Sequence, residues 1–335
     1  MLIKKAEPDV VAQFFEQLLR LVTHDKVFHT DDCMATAILL IVFGSIANMN
    51  IELIRTRKEE LLDQYHEDPM AIVYDVGGKD FDHHNTKTKK RTKTKTPYAA
   101  SGLVWKTFGR AAVNSFFNNI SHVLVHRIWK RVDSELMERI DNHDINGCPI
   151  DSREIITLQH IVNGFRHHWY EKTNDEMEMV QFLKATSLCK ELLSNKIFEI
   201  YSQIMACDTV KEAVYTSDND ILVIDTGLPW MKSYFDMNCH HRFIILPGNG
   251  TNWNIQPAPV KEPSEEGEKF PDIFRGLKNV TLSEVSGVDN MAFCSNNGHL
   301  AIAKTKEAAM EFAKRIMDGE MKWPVEQKET WIERD

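Results

Sequence analysis

The chain has 335 residues, a net charge of −9 and 43% hydrophobic residues, an ordinary globular composition with room for two domains. It has no run of about 18 apolar residues. Its start lacks the features of a signal or transit peptide, so a cytoplasmic protein with no membrane partner is expected. Six cysteines without a CxxC pair argue against a disulfide framework and a cysteine zinc cluster. The negative charge disfavours a protein that coats nucleic acid by bulk charge.

The beginning of the chain alternates helical and strand patterns. Apolar residues at helical spacing predict an amphipathic helix over residues 8–22. The apolar run after Asp32 predicts another helix, with Thr30, Asp31 or Asp32 as its cap. Residues 50–57 then predict a strand and turn, residues 59–65 a short helix, and residues 72–76 a buried strand. This order is typical of an α/β fold.

A glycine pair follows the buried strand and separates two groups of polar residues. Asp75 stands before Gly77-Gly78, and Asp82-His83-His84 stands after it. The carboxyl ends of strands in open α/β sheets are where such folds place their sites, and glycines allow the chain to turn there. Carboxylates with imidazoles suit manganese, iron, zinc or magnesium. The sequence therefore predicts a metal site.

Lysine and threonine alternate between Asn85 and Pro97. Two interpretations stay open for this stretch: a solvated surface loop, or a loop that grips the phosphates of a polyanionic substrate. The second interpretation makes substrate-binding candidates of four basic residues, Lys89, Lys90, Arg91 and Lys93.

Helical patterns dominate residues 111–215. Apolar spacing predicts a long helix over 111–140, interrupted near Asn118-Asn119, that leads to Asp141 and Asp144. On this helix, His122 and His126 have the i, i+4 spacing of metal ligands, although surface histidines are the commoner case. For His167-His168 and the adjacent Trp169, core packing and substrate contact both stay open.

The last third of the chain predicts a second domain. Residues 221–225, 242–247 and 253–256 have strand patterns divided by turn residues. We place the domains at 1–215 and 216–335 and predict a mostly parallel sheet flanked by helices, followed by a smaller C-terminal α+β domain.

The ordered clusters resemble the DHH phosphoesterase superfamily and, within it, the melanocyte-proliferating-gene exonuclease family. The family's first motif corresponds to Thr23-His24, Phe28-His29, Asp31 and Asp32. Its Val-x-Asp-Val-Gly-Gly, Asp-His-His and Ser-Ala-Gly-Leu-Val-Trp segments correspond to residues 73–78, 82–84 and 100–105. The resemblance extends over about residues 23–317. It implies a DHH-type fold for the first domain.

The resemblance also implies roles for individual residues. Two divalent cations are expected, with manganese favoured over magnesium, cobalt and zinc. Their ligands would be His24, His29 and Asp75 for one, and Asp31, Asp75, His83 and either Asp141 or Asp144 for the other. His84 would contact the scissile phosphate, Asp82 would orient His83, and Asp32 would be only a helix cap. Ser101, and His299 in place of a family histidine at Ser295, would contact substrate.

The implied activity is that of a 3′-to-5′ exonuclease acting on single-stranded RNA or short oligonucleotides. Two cations about 3.5–4 Å apart activate a water and clamp the phosphoryl oxygens in such enzymes. Two alternatives stay open: a hydrolase of small phosphoesters or pyrophosphates with the same centre, and a catalytically silent nucleic-acid-binding module. The oligomeric state is also left open.

Overall fold

A computed structural model describes residues 17–47, 49–84, 89–147, 155–217, 220–260 and 267–319. The chain divides into two compact units, Met1–Tyr201 and Ser202–Asp335. The boundary between the two units lies inside a long helix, Asp175–Thr216. The domain boundary predicted at 215/216 falls in the same helix and stays a prediction.

The first unit is organised around three parallel strands, β1 Gln17–Thr23, β2 Met49–Arg55 and β3 Ala71–Val73, in the order β2-β1-β3. Helices α1 Thr30–Phe43 and α2 Glu59–Glu67 connect them, so the chain follows the predicted βαβ order. Leu21 and Val22 in β1 are fully buried, because β1 is hydrogen-bonded on both edges and covered by helices.

The predicted opening helix is wrong over residues 17–22, which belong to β1, while residues 8–16 lie outside the described part of the chain. A strand buried on both faces has apolar residues in succession. Such a run also satisfies a helical pattern, so periodicity alone does not separate the two.

Helices complete the first unit. They are α3 Ala100–Asn114, α4 His122–Val132, α5 Glu138–Asn146 and α6 Leu158–Asn163, with α7 Asp175–Thr216 running on into the second unit. The predicted interruption near Asn118-Asn119 is confirmed, and Asn119 has a positive φ of 60° there. A π-helical turn, Asp133–Met137, joins α4 to α5.

The second unit has a five-stranded sheet with helices against it. Its strands are β4 Ile221–Val223, β5 Phe243–Pro247, β6 Trp253–Pro257, β7 Met291–Cys294 and β8 Ala301–Ala303, in the order β4-β5-β6-β8-β7. Only β4 and β5 are parallel among these pairs. Helices α8 Met231–Asp236, α9 Asn279–Ser286 and α10 Lys306–Asp318 complete the unit. The predicted α/β fold with a smaller C-terminal α+β part is confirmed.

Phenylalanines pack together within the largely aliphatic core of the second unit. Phe270 contacts Phe243 and Phe312, with ring centroids 5.8 and 5.7 Å apart, and Phe274 contacts Phe312 at 5.3 Å. Helix α10 is anchored at its start by Thr305, whose hydroxyl oxygen accepts a hydrogen bond from the Ala308 N–H. The side chains of Ala309 and Phe312 then bury the inner face of this helix.

Across the described ranges, none of the helices combines the length and the apolar character needed to cross a bilayer. The described cysteines, Cys33, Cys189, Cys207, Cys239 and Cys294, are all free thiols.

Candidate metal centre

The first side chains of the site follow directly from β1. The chain leaves the strand at Thr23, and the next residue, His24, is buried at the carboxyl edge of the sheet. His29 lies immediately before α1, and its backbone N–H donates to Asp32 Oδ1 over 2.7 Å. The N–H of Cys33 donates to the same oxygen over 2.9 Å. Asp32 therefore caps α1, which leaves its second oxygen, Oδ2, facing His24.

Strand β3 delivers the next group through an unusual backbone. Asp75 has a positive φ of 54°, and Gly77 and Gly78 follow with φ of 82° and 73°. Aspartate tolerates this left-handed region better than most residues, whereas the glycines adopt it freely. The turn lets the Gly78 N–H donate to Asp82 Oδ2 over 2.7 Å. The glycine pair thus returns the chain so that the Asp-His-His segment meets Asp75.

The first group of potential metal ligands is His24, His29, Asp32 and Asp75, whose ligand atoms all lie within 4.8 Å of one another. His24 Nε2 is 3.3 Å from an oxygen of Asp32 and 3.3 Å from an oxygen of Asp75. Asp32, predicted only as a cap, caps the helix and also belongs to this group. The sequence signal for this role was a second acid directly after Asp31. Because helix capping already accounted for Asp32, the sequence did not identify it as a ligand.

The second and third groups share members with the first. Asp75, Asp82, His83 and His84 form one, and Asp31, His83 and Asp144 form the other. His83 Nδ1 is 3.5 Å from Asp75 Oδ1 and 3.8 Å from Asp31 Oδ2, while His83 Nε2 is 3.2 Å from Asp144 Oδ2. Asp75 and His83 therefore connect one continuous cluster.

Two buried carboxylates meet the start of α3. Asp31 accepts hydrogen bonds from the backbone N–H groups of Ala100 and Ser101. Asp141 accepts from the Gly102 N–H and from the Ser101 hydroxyl. A Cβ on Gly102 would lie 1.9 Å from Asp141 Oδ2, so only glycine permits this approach. The helix N-terminus thereby compensates two acids.

Ser101 is fully buried in this arrangement, with its hydroxyl directed to Asp141. The structure therefore differs from the expectation of substrate contact, and Ser101 supports the acids instead. Asp141 is likewise fully buried, whereas Asp144, one turn later on α5, lines an open cavity beside His83. Of the two alternatives left open by the sequence, the geometry favours Asp144.

The described part of the lysine–threonine stretch is a folded hairpin. Lys90 bridges to Pro97, and the Tyr98 N–H donates to the Lys89 carbonyl. Arg91 is buried at its base, where its guanidinium nitrogens lie 2.7 Å from Asp133 and 2.8 Å from Asp141. This differs from the prediction of a substrate-gripping Arg91, because its charge is committed to two carboxylates. Lys89, Lys90 and Lys93 are exposed.

Burial dominates the electrostatics of the cluster. It raises the pKa of Asp32 and of Asp75 to about 7, and burial together with the Asp75 charge raises the pKa of Asp31 well above its usual range. Burial also lowers the pKa of His24 and of His29. For His83, burial is outweighed by Asp144, Asp31 and Asp75, which raise its pKa to about 9. Several buried carboxylates are thus crowded at this point.

Asp82 and His84 form a hydrogen-bonded pair at the edge of the cluster. His84 Nδ1 lies 2.7 Å from Asp82 Oδ1, which also accepts from the His84 N–H. Although burial opposes it, these hydrogen bonds and that from Gly78 lower the pKa of Asp82 to about 2. Asp82 in turn raises the pKa of His84. Asp82 therefore orients His84, whereas the sequence analysis expected it to orient His83.

The cluster opens into a cavity of about 720 Å³. Its polar lining residues include His24, His29, Asp75, His83, His84 and Asp144, together with Arg57, Arg139 and His143; the sequence analysis did not predict the last three as site residues. Its aliphatic lining residues, here called the apolar wall, are Leu136, Ile140, Ile155, Leu158 and Leu192. A cavity of this size lies within the range of small-molecule sites.

The remaining candidates lie apart from these clusters. His122 and His126 are exposed, and His126 contacts Arg110. Trp169 is 95% exposed, so core packing does not account for it, and His168 stacks on Tyr170. His299 is exposed in the second unit, where its N–H donates to Asn297.

The residues present fit divalent cations. Among the described residues, several buried side-chain atoms lack a hydrogen-bond partner, and three of them belong to the cluster: Asp32 Oδ2, Asp75 Oδ1 and His83 Nδ1. Orphaned buried acceptors are costly unless another partner satisfies them. Carboxylate and imidazole ligands are those of manganese, zinc and related ions. The fold and site together define an α/β protein with a buried histidine–aspartate centre that could hold metal ions.

Comparison with known proteins identifies the family of the chain. The family model described as "Uncharacterised protein family (UPF0160)" matches residues 20–317, and the chain belongs to this family. A MYG1 protein of Schizosaccharomyces pombe is 26% identical over 328 residues, which cover 90% of this chain and 98% of the relative. The MYG1 exonuclease of Mus musculus is 26% identical over 333 residues, covering 89% and 84%. That of Homo sapiens is 24% identical over 331 residues, covering 89% and 85%.

Proposed function

We propose that the protein is a metal-dependent phosphodiesterase of the DHH type that removes nucleotides from the 3′ end of single-stranded RNA or short oligonucleotides. The observation that carries this proposal is the convergence of buried imidazoles and acids from four separate segments on one open cavity. The name MYG1 exonuclease, carried by several mammalian relatives, supports a nuclease. Manganese is the cation expected from the resemblance to the DHH phosphoesterases, and the mixed nitrogen and oxygen ligands fit it as they fit zinc.

The ligand roles follow from the two outer groups of the cluster. His24, His29, Asp32 and Asp75 would hold one cation, and Asp31, His83 and Asp144, joined by Asp75 from the middle group, would hold the other. Asp75 would be shared, since its two oxygens face different histidines: Oδ2 lies near His24 and Oδ1 near His83. When bound, such cations supply an activated water at neutral pH and withdraw charge from the phosphate.

Hydrogen bonds within the chain position His84 and Asp31 for their proposed roles. His84 lines the cavity and is 63% exposed, while its Nδ1 is held by Asp82. Because this pairing favours the protonated imidazole, His84 Nε2 would donate a hydrogen bond to an oxygen of the scissile phosphate. Asp31 is held by the amides at the start of α3, so its carboxylate stays in place when the substrate binds.

The test uses RNA and DNA labelled at the 5′ end, with Mn²⁺, Mg²⁺, Co²⁺ and Zn²⁺ supplied separately. We expect a ladder of progressively shorter RNA with Mn²⁺. The variant Asp75→Asn should lose both bound metal and hydrolysis while keeping its fold, because it removes the shared carboxylate. The matched control is Asp63→Asn, which changes an exposed aspartate on α2. Immediate release of the 5′ label, or full turnover by Asp75→Asn, would contradict the proposal.

A further inference from the structure

The cavity beside the cluster is lined by both polar and aliphatic side chains. Its apolar wall is built from four places in the chain: the π-helical turn, α5, the segment that enters α6, and α7. Ile155 is 43% exposed and Leu192 is 36% exposed, so these side chains open towards the cavity more than they fill a core. A set of aliphatic side chains that converges on a polar cluster offers a surface to an apolar part of a ligand.

The lining of the cavity also includes two guanidinium groups, those of Arg57 and Arg139. Arg139 precedes His143 by one turn of α5, and both line the cavity, as do Leu136 and Ile140 from the same stretch. No carboxylate pairs with Arg139 within the ranges that the structure describes, whereas Arg57 lies 3.4 Å from Asp25. The guanidinium N–H groups of Arg139 are therefore available to donate hydrogen bonds to a phosphate.

We propose that this cavity holds the terminal nucleotide of the strand, with its base against the apolar wall and a phosphate adjoining the scissile one paired with Arg139. This inference rests on the proposed function and names the part of the substrate that the site recognises. The end of a strand has the required combination: a flat base with apolar faces, and a second phosphate next to the scissile one.

The inference separates nucleotides from simpler phosphates. Inorganic pyrophosphate has nothing to place against Leu136, Leu158 or Leu192, so the wall would add nothing to its binding. A small aliphatic diester, such as methyl 2,2,2-trifluoroethyl phosphate, has no ring to place against the wall and lacks the phosphate that Arg139 recognises. Selectivity for oligonucleotides over that diester is therefore a property of the wall and Arg139, and the cluster alone does not confer it.

The first test compares kcat/KM for a hexanucleotide with kcat/KM for methyl 2,2,2-trifluoroethyl phosphate, both with Mn²⁺. We expect Leu192→Asn and Arg139→Gln each to lower this ratio by about tenfold. Leu183→Asn and Arg127→Gln are matched controls: Leu183 is 40% exposed on the same helix as Leu192, Arg127 is exposed on α4, and neither lines the cavity. An unchanged ratio in Leu192→Asn and Arg139→Gln would overturn the inference.

The second test does not depend on turnover. Binding of adenosine 5′-monophosphate and of inorganic phosphate is measured by calorimetry on the Mn²⁺-loaded protein. The wild type should bind the nucleotide more tightly than phosphate, and Leu192→Asn should reduce that preference about tenfold while Leu183→Asn keeps it. If neither substrate were hydrolysed, the proposed function would fail but a wall-dependent preference would still support this inference. Equal affinity of the wild type for both ligands would overturn it.

Discussion

Asp141 and Asp144 are one helical turn apart on α5 and have opposite surroundings. Asp141 is fully buried between Arg91 and the start of α3, whereas Asp144 lines the cavity with an oxygen 3.2 Å from His83. Their spacing is visible in the sequence, but the direction in which each points is not. It depends on the π-helical turn, which changes the rotational phase of α5 relative to α4.

These two acids make a matched pair of tests. Asp144→Asn should reduce bound Mn²⁺ and hydrolysis more than about tenfold with little change in stability, because it removes a ligand at the cavity surface. Asp141→Asn should lower the free energy of unfolding by about 3 kcal/mol, because it leaves part of the buried Arg91 charge unpaired. Metal analysis and thermal melting of both variants check this, and a reversed pattern would make Asp141 the ligand.

The raised pKa values of the cluster predict how metal binding depends on pH. Asp32 and Asp75, with pKa about 7, and His83, with pKa about 9, hold protons near neutral pH in the metal-free protein and must release them to bind a cation. The folded metal-free state binds these acid protons more tightly than the unfolded chain does, so their contribution to stability falls as pH rises from about 4 to about 7. Added Mn²⁺ should therefore raise the melting temperature more at pH 8 than at pH 6, and equal shifts would contradict this.

At the scale of elements, β1 and the basic hairpin show where local pattern is insufficient. Strands β5 and β6 and the break near Asn119 follow from local signals, and the structure agrees with them. Residues 17–23 form a strand because β2 and β3 pair with them on both sides. This pairing is long-range and cannot be read from the local sequence. Arg91 differs from its lysine neighbours for a similar reason, since its acidic partners come from residues more than forty positions away.

The hairpin supplies a prediction that separates its two kinds of basic residue. Arg91→Ala should lower the free energy of unfolding by about 3 kcal/mol, because it leaves the carboxylates of Asp133 and Asp141 without their positively charged partner. The triple change of Lys89, Lys90 and Lys93 to alanine should leave stability unchanged, raise KM for oligonucleotides and flatten the dependence on salt. Alanine at Lys172, Lys184 and Lys190 removes the same charge from exposed positions elsewhere as a control. If the two triple variants had the same KM, the hairpin lysines would have no role in substrate binding.

For the whole molecule, the sequence motifs predict which residues meet, and the fold determines what each contributes. The segments around His24, Asp75 and His83 were predicted to gather, and they lie in one cluster at the carboxyl edge of the parallel sheet. Asp32, Arg139 and the apolar wall were not predicted as parts of a site, because nothing in their local sequence separates a ligand or a lining residue from a cap, a surface charge or a core side chain. Their roles come from long-range packing.

The central claim is that this cluster holds cations, and anomalous scattering from crystals grown with Mn²⁺ tests it most directly. We predict two peaks about 3.5–4 Å apart, one among His24, His29, Asp32 and Asp75 and the other among Asp31, Asp75, His83 and Asp144. Crystals of Asp75→Asn should lose at least one of them. Manganese bound only elsewhere on the protein, with no peak among these side chains, would contradict the account.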